Sequence, residues 1–288
     1  MHVLGAGGFI GSSLVNSLLS NGHSVFGHKS LESLELWTNE ASIYDLKCSR
    51  IVWLIGKITP FSAESDNRLV DLEISFIESY LNNSNFHIFP LTLISSGGCV
   101  YSSKNSIYAK ETDIAEGINK YGHAKIQLEK RFLDSGISGT ILRLGNVYGE
   151  SAIPRHGQGV LAHWMDNYNK GRPLKLYGNP DLKRDYIHIS DVCTAIEASL
   201  NLRQDSSIYN VGTGRGVTLR ELLSIFEQTF SKDIEVEFLP GRPEDNFSYS
   251  LDITKITSET NWTPKISIED GLRLLSLSKG SGNKNASN

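Results

Sequence analysis

Met1-His2-Val3-Leu4-Gly5-Ala6-Gly7-Gly8-Phe9-Ile10-Gly11 opens the chain and carries its strongest fold signal. A short apolar run ends in a glycine-rich turn, and the turn leads into Ile10 to Ser20, where apolar residues recur at helical spacing. Gly5, Gly8 and Gly11 stand where a strand-to-helix connection needs a tight turn, a close backbone approach to a pyrophosphate, and a helix packed against its strand. A glycine trio alone equally describes an ordinary turn. The strand before it and the helix after it favour a dinucleotide loop.

Working outward, further short apolar runs at Ser24 to Gly27, Arg50 to Ile55, Thr92 to Ser95 and Gly139 to Leu144 alternate with helical spacing at Leu69 to Leu81 and Tyr121 to Ser135. Strand and helix in alternation predict an α/β fold, a Rossmann-type doubly wound parallel sheet joined by right-handed crossovers. After Gly149 the chain turns to longer loops rich in Gly, Pro, Asn and Asp, which begins a smaller α/β substrate-binding lobe. Asp185 to Leu200 reads as a strand and helix returning to the first domain. The expected division is 1–148 plus 185–214 for the dinucleotide-binding domain and 149–184 plus 215–277 for the lobe. The polar residues 278–288 form a disordered tail.

A chain of 288 residues buries a full core without staples, and a net charge of -4 offers no basic field for a polyanion, so no nucleic acid is expected. Cys48, Cys99 and Cys193 have neither an even count nor metal-ligand spacing, so neither disulfides nor a metal site is expected. No basic leader and no bilayer-length apolar run is present, which leads to the expectation of a soluble, cytoplasmic protein with no membrane partner.

Tyr121-Gly122-His123-Ala124-Lys125 sets a phenol and an ammonium four residues apart on one helix face. A free tyrosine titrates near about 10, and a neighbouring ammonium favours its phenolate, which suits acid/base work. Such a pair alone is common on exposed helices; beside the loop at Gly5 to Gly11 it carries weight.

With both motifs in place the chain resembles the extended short-chain dehydrogenase/reductase family, in particular its nucleotide-sugar epimerases of the UDP-galactose 4-epimerase kind, over nearly its whole length. Ser95-Ser96-Gly97-Gly98-Cys99-Val100-Tyr101 is similar to the family's active-site strand end, and Leu142 to Gly149 to its substrate-side turn. Arg184 to His188, Gly241 to Asp245 and Trp262-Thr263-Pro264 add further matches. The resemblance implies that Tyr121 is the acid/base and that Lys125 binds the nicotinamide ribose and tunes Tyr121. It also implies that Arg184 and Arg242 grip a diphosphate, and that Asn146 meets the sugar nucleotide. For each arginine a surface salt bridge is the plainer reading, and for Asn146 a turn. The expected cofactor-binding set is Gly5, Gly8, Phe9, Ile10, Gly11, His28, Lys29, Ile55, Gly56, Tyr121 and Lys125. His28 and Lys29 stand where an acidic residue would meet the adenosine 2'-hydroxyl. A cation there suits a 2'-phosphate, so the cofactor is NADP or NAD with NADP preferred, although a lone lysine in a turn is often merely solvated.

The pattern also departs from the family. Gly97 falls where the family carries Ser or Thr, and Ser96 is the substitute, for catalysis and for substrate contact, unless it only caps the next turn. Gly98 and Cys99 replace the Asp-Glu pair of the dehydratase branch, which argues against dehydration. Cys99 matches a proton-transferring cysteine of another branch, but the partner histidine there falls at Ser151, His156 is unaligned, and packing is the expected role. The leading expectation is an NAD(P)-dependent epimerase of a nucleotide-diphosphate sugar, acting through a 4-keto intermediate. An NADP-dependent 4-keto-sugar reductase is the alternative and a non-catalytic nucleotide sensor the third. A homodimer built on Leu69 to Leu81 and Tyr121 to Ser135 follows from the same resemblance.

Overall fold

Apolar strands that alternate their side chains between two faces need a covering layer on each. The computed structural model describes residues 1–40, 49–102, 107–150, 152–154, 159–202, 207–230, 233–241 and 247–280. Its first half runs β1 (His2–Leu4), α1 (Phe9–Ser20), β2 (Phe26–His28), α2 (Leu31–Glu40), β3 (Ile51–Trp53), α3 (Pro60–Ser65), α4 (Asn67–Leu81), β4 (Leu91–Ser96), α5 (Gly97–Val100), β5 (Tyr108–Ala109), α6 (Lys120–Asp134), β6 (Gly139–Leu144) and β7 (Asn146–Tyr148). The second half continues with α7 (Val160–Asn169), β8 (Leu174–Tyr177), β9 (Lys183–His188), α8 (Ile189–Ser199), β10 (Ser207–Val211), β11 (Gly216–Thr218), α9 (Leu219–Phe230), β12 (Val236–Leu239), β13 (Ser250–Leu251), α10 (Thr254–Thr260) and α11 (Ile268–Gly280).

Six strands form one sheet in the order β10-β6-β4-β3-β1-β2, every neighbouring pair parallel. This is the doubly wound order, with its reversal between β1 and β3, so a crevice opens beyond their carboxyl ends. Alternation along the strands divides the core. Val3, Val52 and Leu142 face α1 and α8 with Leu14, Leu18 and Val192. Leu4, Ile51, Trp53 and Ile141 face α4 and α6 with Ile77, Tyr80, Leu128 and Phe132. Burying each such side chain is worth about 1.5–3 kcal/mol. A third cluster around Trp164, Leu174, Leu222, Phe226 and Leu272 gives the later segments a core of their own.

The structure corrects the reading in places. The strand from Asp185 onward starts at Lys183 and joins a separate sheet, β11-β9-β7, rather than the main one; α8 after it packs back on α1. Helices α2 and α3 were not anticipated. Helix α11 continues through Gly280, past the expected start of the tail at Ser278, because Ile268, Leu272 and Leu275 anchor it in the third cluster. Residues 281–288 lie outside the described residues.

Between β1 and β2 lies a buried imidazole pair: His2 Nδ1 is 2.8 Å from His28 Nε2, and His2 Nε2 is 3.2 Å from Ser49 Oγ. Burial is the main cause that holds both rings below the ordinary histidine range, His2 at about 3, with the amino terminus pushing the same way. In the unfolded chain both titrate near about 6.5, so the native state binds fewer protons and loses stability as pH falls through that value. The urea midpoint should therefore drop between about pH 7.5 and about pH 5, and His2→Asn should flatten the dependence. Equal slopes in the two proteins would remove the pair from the acid response.

Candidate active site

The crevice begins at the loop between β1 and α1. Gly5 adopts φ +90°, and a β-carbon there would sit 2.8 Å from the Leu54 carbonyl carbon and oxygen. A β-carbon on Gly11 would lie 2.2 Å from the Gly5 carbonyl oxygen, so the helix closes on its turn only through glycine. Gly8 caps α1 in an extended conformation with no side chain bonded to the helix amides. Around Gly7 the space is open. The helix end presents its free N–H groups and positive dipole to that space, an arrangement that fits a dinucleotide pyrophosphate. Phe9 and Ile10 are half-buried beside it, while Ile55 and Gly56 follow β3 on the same edge, Leu54 N donating to Leu4 O at 2.8 Å.

At the β4 end, Ser95 and Ser96 take different roles. Ser95 Oγ donates to Glu129 Oε1 at 2.5 Å, inside a buried network in which Arg143 also binds Glu129 and Tyr101, and Tyr101 donates to Asn210. Ser96 begins the turn α5 but its side chain makes no capping bond, so the capping alternative is not realised. At Gly97 a β-carbon would lie 2.8 Å from both Leu251 methyls, so in this arrangement Leu251 takes the space that a Ser or Thr at 97 would enter.

Helix α6 carries Tyr121 and Lys125 against this turn. Its first amides are capped by Asn119, whose side chain accepts from Gly122 N at 2.8 Å. A β-carbon at Gly122 would fall 2.1 Å from the Cys99 carbonyl oxygen, so backbone lies on backbone. Lys125 Nζ lies 5.3 Å from the Tyr121 ring centroid, so the two motif residues share one face. The same Nζ donates to Glu73 Oε1 of α4 at 2.5 Å. Burial alone would push this ammonium down; Glu73, with smaller help from Tyr121 and Glu129, more than reverses it and holds it above the ordinary lysine range.

Tyr249 completes the wall, and the sequence reading missed it. Its phenol is buried with no hydrogen-bond partner among the described residues, and burial raises it well above the usual tyrosine range, so it remains a proton donor. A β-carbon at Gly98 would lie 2.4 Å from Tyr249 Oη and 3.5 Å from Asn146 Oδ1, so the phenol and the amide converge on this glycine. Arg184 lies with its guanidinium carbon 5.4 Å from the Phe247 ring centroid and 5.5 Å from that of Tyr249, and it donates to the Phe247 carbonyl. Behind them the Asp185 carboxylate accepts from Thr213 N, Gly214 N and Leu251 N, tying β9 to the segment that bears Tyr249. The glycines at 97 and 98 indicate room at this turn, but nothing in the segment around 249 marks it as what fills that room.

His28 is turned inward, its Nδ1 3.2 Å from Ser33 Oγ and its Nε2 on His2, so its ring is not available to a ribose. Lys29 beside it is exposed. Arg242, Ser151, His156 and Cys48 lie outside the described residues. Cys99 is half-buried and in no disulfide. Among the described residues no helix is long and apolar enough to cross a membrane.

Comparisons with known proteins bear on the fold and the family. Residues 77–212 match the profile of the NAD dependent epimerase/dehydratase family. The chain is 26% identical to a putative UDP-glucose 4-epimerase of Methanocaldococcus jannaschii, over 94% of this chain and 95% of that one. It is 30% identical to the dTDP-4-dehydro-6-deoxyglucose reductase of Escherichia coli, but over 62% of this chain and 57% of that enzyme. Among solved structures, UDP-glucose 4-epimerase of Thermotoga maritima with UDP-glucose superposes with a TM-score of 0.84 at 25% identity, covering 98% of this chain and 100% of that one. The UDP-glucose 4-epimerase of Thermus thermophilus in complex with NAD gives 0.81 at 27%, with the same coverage.

The backbone contact at Gly122 yields a test. Gly122→Ala must drive α6 away from Cys99, and stability to urea should fall by about 1–3 kcal/mol. Unchanged stability would mean that the contact is not tight.

Proposed function

We propose, for a chain whose residues 77–212 match the NAD dependent epimerase/dehydratase family, that it interconverts two nucleotide-diphosphate sugars differing at C4, through a transient 4-keto sugar. The observation that carries this reading is the Tyr121 and Lys125 pair, held on one face of α6 against the β4 end. The full-length likeness to UDP-glucose 4-epimerases supports it. Residues 1–148 plus 185–214 bind the dinucleotide in this reading, and 149–184 plus 215–277 the sugar nucleotide.

The dinucleotide, when bound, takes up and returns the hydride. Gly5, Gly8, Phe9, Ile10 and Gly11 hold its pyrophosphate, Ile55 and Gly56 line its path, and Lys125 meets the nicotinamide ribose. Tyr121 accepts the proton of the sugar 4-hydroxyl and later gives it back, with the Lys125 ammonium stabilising the phenolate. Ser96 orients the sugar oxygen in place of the missing hydroxyl at Gly97. Asn146 and the Tyr249 phenol face the same space, and Arg184, with Arg242, binds the diphosphate. In this reading two copies pair through α4 and α6, and the protein works in the cytoplasm.

A second reading, an NADP-dependent reductase of a nucleotide-linked 4-keto sugar, is favoured by the likeness to the E. coli reductase and by Lys29. The two part in their products. An epimerase interconverts 4-hydroxy sugars without net change in the dinucleotide, and Tyr121→Phe should lower that turnover roughly 10²-fold or more while dinucleotide binding persists. Stoichiometric loss of NADPH with a 4-keto sugar, and no interconversion, would establish the reductase instead.

Lys29 is the residue we assign to an adenosine 2'-phosphate, and a preference for NADP follows. Lys29→Asp should shift preference toward NAD, since a carboxylate repels the phosphate and accepts from the hydroxyl. Titration of both dinucleotides into both proteins checks this; an identical preference leaves Lys29 a solvated turn residue.

A further inference from the structure

Lys125 carries its charge almost wholly out of water. Its side chain is 9% exposed and that of Glu73 1%, and the ion pair between them joins α6 to α4. The carboxylate is itself fixed from a third side: Glu73 Oε2 accepts from Lys57 N at 2.9 Å and Ile58 N at 3.2 Å, the backbone that follows Gly56. A lysine stripped of water gives up its proton unless an anion compensates. Three groups bear on it: Glu73 from α4, and Tyr121 and Glu129 from its own helix. Glu129 is engaged elsewhere, bonded by Arg143 of β6 and Ser95 of β4. The side chains packed around Tyr121 from residues 58–70 are the apolar Ile58, Ala63, Leu69 and Val70, and the Lys57 ammonium lies over the Phe76 ring. Glu73 is thus the anion in hydrogen-bond contact with Lys125, and it is anchored by the loop on the cofactor side of the crevice.

We propose that Glu73 is a positioning residue of the active site: it keeps Lys125 an ammonium inside an apolar wall and fixes the point from which that ammonium meets both the ribose and Tyr121. The inference rests on the roles assigned above to Tyr121 and Lys125. Glu73 touches neither sugar nor dinucleotide in this account; it acts through Lys125. It also gives the loop after β3 a rigid strut to α6, so that the cofactor wall and the acid/base helix keep one spacing.

The test follows the titration of Lys125 by NMR in protein labelled with ¹³C at lysine Cε, the resonance assigned with Lys125→Arg. Glu73→Gln should lower the Lys125 midpoint by about two pH units or more. It should move the alkaline limb of kcat/KM down with it, and Glu73→Asp should fall between. A merely structural role would lower the melting temperature and leave both pH midpoints where they were. An unchanged Lys125 midpoint in Glu73→Gln overturns the proposal. If that variant does not fold, Glu73→Asp decides: a midpoint lowered by about one unit supports it and an unchanged one overturns it. The NMR measurement needs no turnover, so a wild-type protein inactive on nucleotide sugars would overturn the reaction assignment without touching this result.

Discussion

Because the Cys99 carbonyl rests where a β-carbon of residue 122 would have to be, α6 meets the β4 end with backbone against backbone. The site is assembled around that contact. It brings Tyr121 and Lys125 to the carboxyl edge of the sheet, where the loop after β1 has already closed through Gly5 and Gly11. Loosely packed side chains would let the helix slide; a carbonyl on a glycine leaves it one depth. The acid/base role proposed for Tyr121 would require hydrogen-bond reach of a substrate, and this contact fixes the depth from which the phenol could act.

Beneath the site lies a buried polar layer. Arg143, Glu129, Ser95, Tyr101 and Asn210 form a continuous set of hydrogen bonds from β4 and α6 through β6 to β10. Buried charges of this kind are costly unless each is satisfied, and a satisfied network specifies one arrangement of the elements it joins. Asp185 does the same for the segments at 213–214 and 251. The crevice thus has a rigid floor and one rigid flank, and its working groups project from both.

The sheet was legible because short runs rich in apolar residues alternate with helical spacing: Gly139–Leu144 is placed to the residue, and β4 within one residue at each end. Helix α2 was missed because its apolar residues, Leu31, Leu34 and Trp37, recur at threes among polar neighbours over barely three turns. The motifs at Gly5 to Gly11 and Tyr121 to Lys125 are local and read directly. Glu73 and Tyr249 are not: each is an ordinary residue in its own segment and gains meaning only from a contact made far along the chain. His28 misled for the opposite reason, since its position at the end of β2 indicates the ribose while its ring turns inward to His2.

Leu251 fills the space beside Gly97 from β13, more than a hundred and fifty residues away in sequence. The two positions are therefore epistatic. A serine at 97 requires the Leu251 methyls to shift or residue 251 to become smaller, and a smaller residue at 251 with glycine still at 97 leaves a hole in the wall. Either order passes through an intermediate less well packed than its endpoints. Residues 97 and 251 thus form one packing unit across two distant segments, and a change at either is best read together with the other.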